Sequence, residues 1–156
     1  MSKSLYKKVV IIFLHVNFNS YLLQLRDFEP SILYPGHWGG FGGAAEGDET
    51  SRVAAARELE EEIGYCPKEL HFFREFYTDS LMINTSIFYS NLGIPLSQLR
   101  LREGMDMDLF TREEISTKKL YSKNLGAVFP VAPPLVIFFN EFFDFISSEV
   151  KTFKNF

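Results

Sequence analysis

Residues 43–65 of the chain read GAAEGDETSRVAAARELEEEIGY. The middle of this stretch predicts a helix, because Ala, Arg, Leu and Glu favour helical backbone. Thr50 or Asp48 can cap the start of the helix with a side-chain oxygen, and Gly64 can end it in a left-handed conformation. The sequence therefore predicts a glycine turn, an acidic loop and a helix in succession.

The predicted helix has one apolar face and one acidic face. At 100° per residue, four apolar residues fall on the side that we expect to pack on the core: Val53, Ala56, Leu59 and Ile63. Three carboxylates fall on the opposite side, spaced i, i+3 and i+4: Glu58, Glu61 and Glu62. Ala54 and Ala55 flank the acidic face, and they are small enough to let a ligand approach it.

Three like charges on one helical face repel one another unless another charge offsets them. A hard divalent cation such as Mg²⁺ or Mn²⁺ would do so, since it prefers oxygen ligands and often bridges carboxylates to phosphates. A solvated acidic face is the alternative interpretation. The preceding run, residues 39–43, favours the metal, because its glycines allow close backbone approach and could place a carbonyl oxygen beside the acidic face.

The spacing of the whole stretch is more specific than any of its parts. It reads G-x5-E-x7-R-E-U-x-E-E-x-G-U, where U is a bulky apolar residue, and it resembles the Nudix box at every fixed position. The chain is thereby identified as a MutT-like member of the Nudix hydrolase superfamily, although the match covers only 23 of 156 residues. The resemblance implies an α+β fold, an α/β/α sandwich with a mixed sheet between helices.

The resemblance also implies an activity, the Mg²⁺- or Mn²⁺-dependent hydrolysis of a nucleoside diphosphate linked to another group. The metal ligands it implies are three carboxylates, helped by one glycine carbonyl: Glu58, Glu61, Glu62 and Gly42 or Gly43. Arg57 would orient the catalytic carboxylates Glu58 and Glu61 through ion pairs, with Glu49 as its expected partner.

The general base is less closely defined, because members of the family use either a glutamate of the box or one on a distant loop. Glu103-Gly104 resembles the Glu-Gly-Gln of MutT-type members, with Met105 in place of Gln. Glu103 is therefore a candidate base or additional metal ligand, and a glutamate in an ordinary turn is the alternative. Asp106 and Asp108 are neighbouring candidates.

Three further residues are candidates for binding the nucleotide. Arg26 ends a predicted strand where MutT-type members often place a phosphate-binding arginine, although a surface ion pair with Asp27 or Glu29 is the alternative. Trp38 and Phe41 precede the box, and either could stack on a base or serve only in packing.

The flanking sequence predicts further elements. Residues 9–16 and 21–26 are expected to form a hairpin around the turn-like residues 17–20. Strands are also expected at residues 70–77 and 83–92, joined by a turn at residues 78–80. A further strand is expected at residues 99–103, broken by Gly104, and residues 108–110 could continue it. Thr111 and Glu114 have the spacing of a capping box and predict a short helix. A final helix should pack an apolar stripe on the core: Leu135, Phe138, Phe139, Phe142, Phe143 and Ile146.

Length and composition limit the number of domains and the kinds of partner. The length of 156 residues predicts a single Nudix domain over residues 1–156. A net charge of −4 argues against stable nucleic-acid binding, and no apolar run is long enough to span a membrane. The single cysteine, Cys66, fits a reducing cytoplasm. We expect a small nucleoside diphosphate derivative as ligand and regard a homodimer as possible.

The substrate is left open between several classes. The favoured interpretation is a (d)NTP or modified-nucleotide pyrophosphatase. A nucleotide-sugar or ADP-ribose hydrolase is the first alternative, although residues 80–82 lack the proline that ADP-ribose enzymes of the family tend to carry. A catalytically silent nucleotide-sensing module is the second, although such modules typically lose box carboxylates that this chain retains.

Overall fold

A computed structural model describes residues 5–154 of the chain. It begins with the expected hairpin, in which β1 (Lys7–Val16) and β2 (Ser20–Leu25) pair antiparallel. The two strands stay paired only next to the turn, at His15 with Tyr21 and Val16 with Ser20. Beyond that point they part, and the separation makes room for the cleft described below.

The glycine run forms two very short strands that bridge the separation. β3 (Trp38–Gly39) pairs with β2, whereas β4 (Phe41–Ala44) pairs with β1. Gly40 stands between them, and a Cβ there would lie 2.7 Å from a methyl carbon of Ile11. Only a residue without a side chain lets the backbone cross so closely from one half of the sheet to the other.

Three later strands complete the main sheet. β5 (His71–Thr78) and β6 (Ile83–Asn91) form the second expected hairpin, and β6 pairs parallel with β1 along almost its whole length. β7 (Asp106–Thr111) pairs antiparallel with β2. The sheet is therefore mixed, as expected.

The strand expected at residues 99–103 is absent, because that segment serves the end of a helix instead. The amides of Arg100 and Arg102 donate to the carbonyls of Ile63 and Glu62, and the Arg102 side chain donates to the carbonyl of Glu60. These are among the last carbonyls of α1 (Ser51–Ile63), which have no partner within the helix. Capping that helix takes the place of pairing with a strand.

Two more helices and a small hairpin follow β7. α2 (Arg112–Ser116) starts with the expected capping box of Thr111 and Glu114. β8 (Lys119–Ser122) and β9 (Ala127–Pro130) form a separate two-stranded sheet that the sequence analysis did not predict. α3 (Pro133–Lys154) is the expected final helix. No helix within residues 5–154 combines the length and the apolar character needed to cross a bilayer.

The helices cover both faces of the main sheet, so the chain has the expected α/β/α layers. Alternation along β1 sends Val10, Ile12 and Leu14 into the core beneath α1, together with Leu59 and Ile63 of that helix. Phe13 faces the other side, where it stacks on Phe139 of α3 at 4.1 Å between ring centroids. The apolar stripe of α3 packs there, with Ile146 partly buried and its other members buried, which confirms that it lies against the core.

The burial of α1 corrects the two-faced helix expected from the sequence. Thr50 caps its start and Gly64 ends it in the left-handed region, as expected. Val53, however, is 55% exposed, whereas Ala54 and Ala55 are fully buried against the sheet. The helix is rotated so that part of its acidic face turns inward, and Ala54 and Ala55 are core residues that do not line a path for a ligand.

Candidate active site

A cleft of about 750 Å³ opens where β1 and β2 separate. Its acidic side is formed by Glu58 and Glu62 of α1 and by Glu103 on the loop before β7. Its apolar side includes Leu135 and Phe138 of α3. Size and mixed lining are those of a small-molecule site, so the cleft is the candidate active site.

Arg57 organises the box carboxylates, as expected. Its Nε and Nη2 donate to the two oxygens of Glu49 at 2.8 and 2.9 Å, a bidentate pair. Its Nη1 donates to Glu58 at 3.0 Å and to Glu61 at 3.2 Å, and its Nη2 also reaches the carbonyl of Ala44 at 3.0 Å. The bonds from Arg57 hold the pKa of Glu49 below its usual range. One guanidinium thus fixes a loop, a strand and a helix.

Glu62 lies deepest among these carboxylates. It is 3% exposed and accepts a hydrogen bond from the amide of Gly42 at 3.1 Å. Burial raises its pKa to about 9, and the nearby charges of Glu103 and Glu58 act in the same direction. Burial also raises the pKa of Glu58, although Arg57 opposes the shift. The protein therefore holds several carboxylates together with little cationic compensation at Glu62.

Two glycines make this arrangement possible. A Cβ at Gly43 would lie 2.5 Å from Oε1 of Glu58, so any side chain there would displace the carboxylate. Gly42 has a φ of +150°, and a Cβ there would lie 1.9 Å from the carbonyl oxygen of Val10. The glycines of the motif therefore let the carboxylates and a strand approach each other closely. Whether either glycine carbonyl binds a metal remains a prediction.

Glu103 is the expected candidate that the fold brings to the box. It lines the cleft, and its charge contributes to the raised pKa of both Glu58 and Glu62. Neither neighbouring candidate does so. Asp106 is 5% exposed and accepts hydrogen bonds from the Ser122 hydroxyl and the Asn124 amide. Asp108 pairs with Lys123 at 3.1 Å. Those two aspartates hold the β8–β9 region in place and are set aside as bases.

The structure places the three residues expected to bind nucleotide in different surroundings. Arg26 lines the cleft at the end of β2, and its Nε donates to the carbonyl of Leu33 at 2.7 Å. It forms no ion pair with Asp27 or Glu29 in the described structure, so phosphate binding remains a prediction. Trp38 and Phe41 are both 0% exposed and belong to the two cores. The expectation that either stacks on a base is wrong, because neither presents a surface to the cleft.

We expect Trp38→Phe to destabilise the protein by about 2 kcal/mol without changing KM. The indole Nε1 donates to the carbonyl of Leu120 at 3.0 Å, and phenylalanine would remove this buried hydrogen bond and leave a smaller ring in the core. Urea unfolding measures the loss of stability, and steady-state kinetics at a temperature where both proteins are folded measures KM. A severalfold rise in KM with unchanged stability would restore the nucleotide-binding role.

The carboxylates of the box are suitable ligands for a hard divalent cation, although two of them are bonded to Arg57 in this structure. Across residues 5–154, no three Asp, Glu, His or Cys side chains are grouped as a metal site. Glu58 and Glu61 are directed toward Arg57, and Glu61 lies outside the cleft lining. Glu62, however, is a buried carboxylate with no ion pair among the described residues, and carboxylate oxygens are what Mg²⁺ and Mn²⁺ prefer.

The sequence did not identify Gln24 as a residue of the cleft. Gln24 lies in β2, is 3% exposed, and donates from Nε2 to the carbonyl of Glu103 at 2.6 Å. A signal was present, because an amide interrupts the otherwise apolar run LLQL. The sequence could not name its partner, which lies 79 residues away.

Comparisons with known proteins agree with this fold. The sequence-family model for the NUDIX domain matches residues 5–125 of the chain. A MutT protein from Methanosarcina mazei Go1 has a similar structure (TM-score 0.61, 22% identity, covering 94% of this chain and 96% of that one). So does a mutT/nudix family protein from Listeria innocua (TM-score 0.63, 21% identity, 94% of each chain). At these identities the likeness shows the fold. No curated protein matches the chain.

Proposed function

The chain belongs to the NUDIX domain family, and on that premise we propose that it is a divalent-metal-dependent pyrophosphohydrolase of the MutT-like type. The family hydrolyses phosphorus-containing anhydrides, and this chain is an enzyme of that class. We propose a nucleoside triphosphate or a modified nucleotide as substrate, with a nucleoside monophosphate as one product. The proposed site is the cleft between the two halves of the sheet.

One observation carries the proposal: three carboxylates from two distant parts of the chain line the same cleft. Glu58 and Glu62 come from α1, and Glu103 comes from a loop some forty residues further on. Glu58 and Glu62 are buried side by side, which is costly, and a structural role would be served as well by apolar residues. Such a cluster is typical of a site that handles a cation and a proton.

Glu58 and Glu62 would hold the divalent cation, with the Gly42 or Gly43 carbonyl as a further ligand. Glu61, which pairs with Arg57 outside the cleft lining, would have to turn toward the cation to bind it. When bound, Mg²⁺ or Mn²⁺ neutralises phosphate charge and lowers the pKa of bound water. Arg57 presets the orientation of Glu58 through the hydrogen bond at 3.0 Å. This preorganisation means that the carboxylate need not be reoriented during the reaction.

Hydrolysis forms one bond from water oxygen to phosphorus and breaks one bridging oxygen–phosphorus bond. The attacking water must also lose a proton to a base within reach. Glu103 is the best-placed candidate for that role, because it lies in the cleft without an ion pair to a cationic side chain among the described residues. Glu58 is the alternative, although Arg57 already occupies one of its oxygens.

The shape of the cleft supports a nucleotide as substrate. Its volume of about 750 Å³ lies within the range of small-molecule sites. Arg26 stands at one wall, where a guanidinium can bind phosphate, and Leu135 and Phe138 offer an apolar wall to a base. We further propose a cytoplasmic location, which fits the single thiol, Cys66, with no disulfide partner.

A release assay tests the proposed function. The purified chain is incubated with nucleoside triphosphates, oxidised dGTP, nucleotide sugars, ADP-ribose and dinucleoside polyphosphates, each with Mg²⁺, with Mn²⁺ and with excess EDTA. We expect metal-dependent release of a nucleoside monophosphate, fastest from a triphosphate. Preference for a sugar nucleotide or ADP-ribose would move the assignment to the alternative hydrolase class. Nucleotide binding without release from any substrate would indicate a sensing module.

A further inference from the structure

Glu103 reaches the acidic side of the cleft on a loop that two hydrogen bonds fasten to β2. The Gln24 side chain donates to the carbonyl of Glu103 at 2.6 Å. Two residues further on, the amide of Met105 donates to the carbonyl of Leu25 at 2.8 Å. The two bonds lie on either side of Gly104, so the loop is held against the strand at both ends of a single turn.

Gly104 allows the loop to lie this close to the strand. Its φ is +92°, which a residue with a side chain rarely adopts. A Cβ there would lie 2.8 Å from the Leu25 carbonyl oxygen and 2.8 Å from Cγ of Gln24. The loop therefore rests directly on the Gln24 side chain, and the length of that side chain sets the height of Glu103 above β2.

The Glu103 side chain lies next to two glutamates of the box. It is hydrogen-bonded to the side chain of Glu62 and lies within electrostatic reach of Glu58, although Glu103 itself is exposed. Arg57 is occupied by Glu49, Glu58 and Glu61 and forms no bond to Glu103. No ion pair with Arg57 therefore holds the loop, and its backbone is fixed by the hydrogen bonds to β2.

We propose that Gln24 is a positioning residue that keeps the Glu103 carboxylate beside the Glu58–Glu62 pair. The inference rests on the proposed function, in which that carboxylate serves the metal site and accepts the proton of water. Gln24 suits the task because it is a neutral donor. A lysine or arginine would compete with the cation for the carboxylates, a glutamate could not donate, and an asparagine is one methylene too short to span the same gap.

Mn²⁺ titration provides a test that does not depend on a known substrate. Calorimetry measures the Mn²⁺ dissociation constant of the wild type and of three variants: Gln24→Met, Glu103→Gln and the double variant. Methionine has a similar volume to glutamine but no donor. We expect Gln24→Met to weaken Mn²⁺ binding about three- to tenfold, and to have less than about a twofold effect once Glu103 is already Gln.

Hydrolysis of dGTP is measured on the same proteins. Gln24→Met should lower kcat about tenfold with little change in KM, and this loss should also disappear in the Glu103→Gln background. Gln24→Asn should recover little of either property, because its amide is one methylene too short, whereas Gln24→Glu should be worse than Gln24→Met because it adds a charge next to the other carboxylates. Thermal melting of each variant shows how much of the protein is folded under the assay conditions.

The outcomes distinguish a failure of the positioning role of Gln24 from a failure of the proposed function. Unchanged Mn²⁺ binding and kcat in Gln24→Met would overturn the positioning role. An equal loss with and without the Glu103 carboxylate would do the same, because Gln24 would then act through general packing. If Gln24→Met melts below the assay temperature, Gln24→Glu and Gln24→Asn are compared in its place. Absence of metal-dependent hydrolysis in the wild type would instead count against the proposed function, and Mn²⁺ titration would still judge Gln24.

Discussion

Glu62→Gln is expected to lower kcat by about three to five orders of magnitude while the protein remains folded. Each factor of ten corresponds to about 1.4 kcal/mol of barrier, so the loss amounts to about 4–7 kcal/mol. The carboxylate is 3% exposed and faces the cleft, where its charge would hold the cation. The amide keeps the size of the side chain and one oxygen that can accept the hydrogen bond from Gly42.

Stability should not explain this loss. A neutral amide costs less to bury than a carboxylate, so the variant should melt at the same temperature as the metal-free wild type or higher. Glu60→Gln is the matched control, because Glu60 lies on the same helix but is exposed and outside the cleft lining. It should retain full activity. A fully active Glu62→Gln enzyme, with metal dependence intact, would refute the acidic side of the cleft as the metal site.

Arg57→Ala is the second variant with a large expected effect, a loss of about two to three orders of magnitude in kcat. The guanidinium makes hydrogen bonds to three carboxylates and to the Ala44 carbonyl, and alanine makes none of them. Glu58 would then lose the only cation that holds it in the described structure, and its orientation in the cleft would no longer be set. Steady-state kinetics with saturating Mg²⁺ measures the loss.

Arg57→Lys should recover little of this activity. Lysine carries the charge but cannot form the bidentate pair with Glu49 and at the same time reach Glu58. Arg52→Ala is the control on the same helix, because Arg52 donates to the Leu70 carbonyl and lies over the Phe88 ring, away from the cleft. It should affect stability and leave kcat unchanged. Equal activity of Arg57→Lys and wild type would show that charge alone suffices at this position.

Much of the fold follows from local sequence rules that the structure confirms. Thr50 and Gly64 bound α1, and Thr111 with Glu114 starts α2, because a cap depends on residues within one turn of the helix end. The two hairpins follow from strand composition and turn residues for the same reason. The pairing of Arg57 with Glu49 also comes from the motif, whose spacing brings the end of the loop close to the helix.

Elements whose partners are remote were predicted less well. Residues 99–103 have the composition of a strand, yet their amides are used by the end of α1. Trp38 precedes the glycine run and Phe41 lies within it, and either ring could have faced the cleft or the core. Only the pairing of β3 with β2 and β4 with β1 places both rings in the cores.

The sequence by itself determined the family and the capped helix, and its family resemblance implied the arginine–glutamate pair. All of these depend on residues close together in the chain, within the span of one motif. The tertiary structure alone decided which side of α1 is buried, that Glu103 and not Asp106 or Asp108 reaches the cleft, and that Gln24 supports it. Those features depend on contacts between residues tens of positions apart, where strand pairing and burial set the geometry.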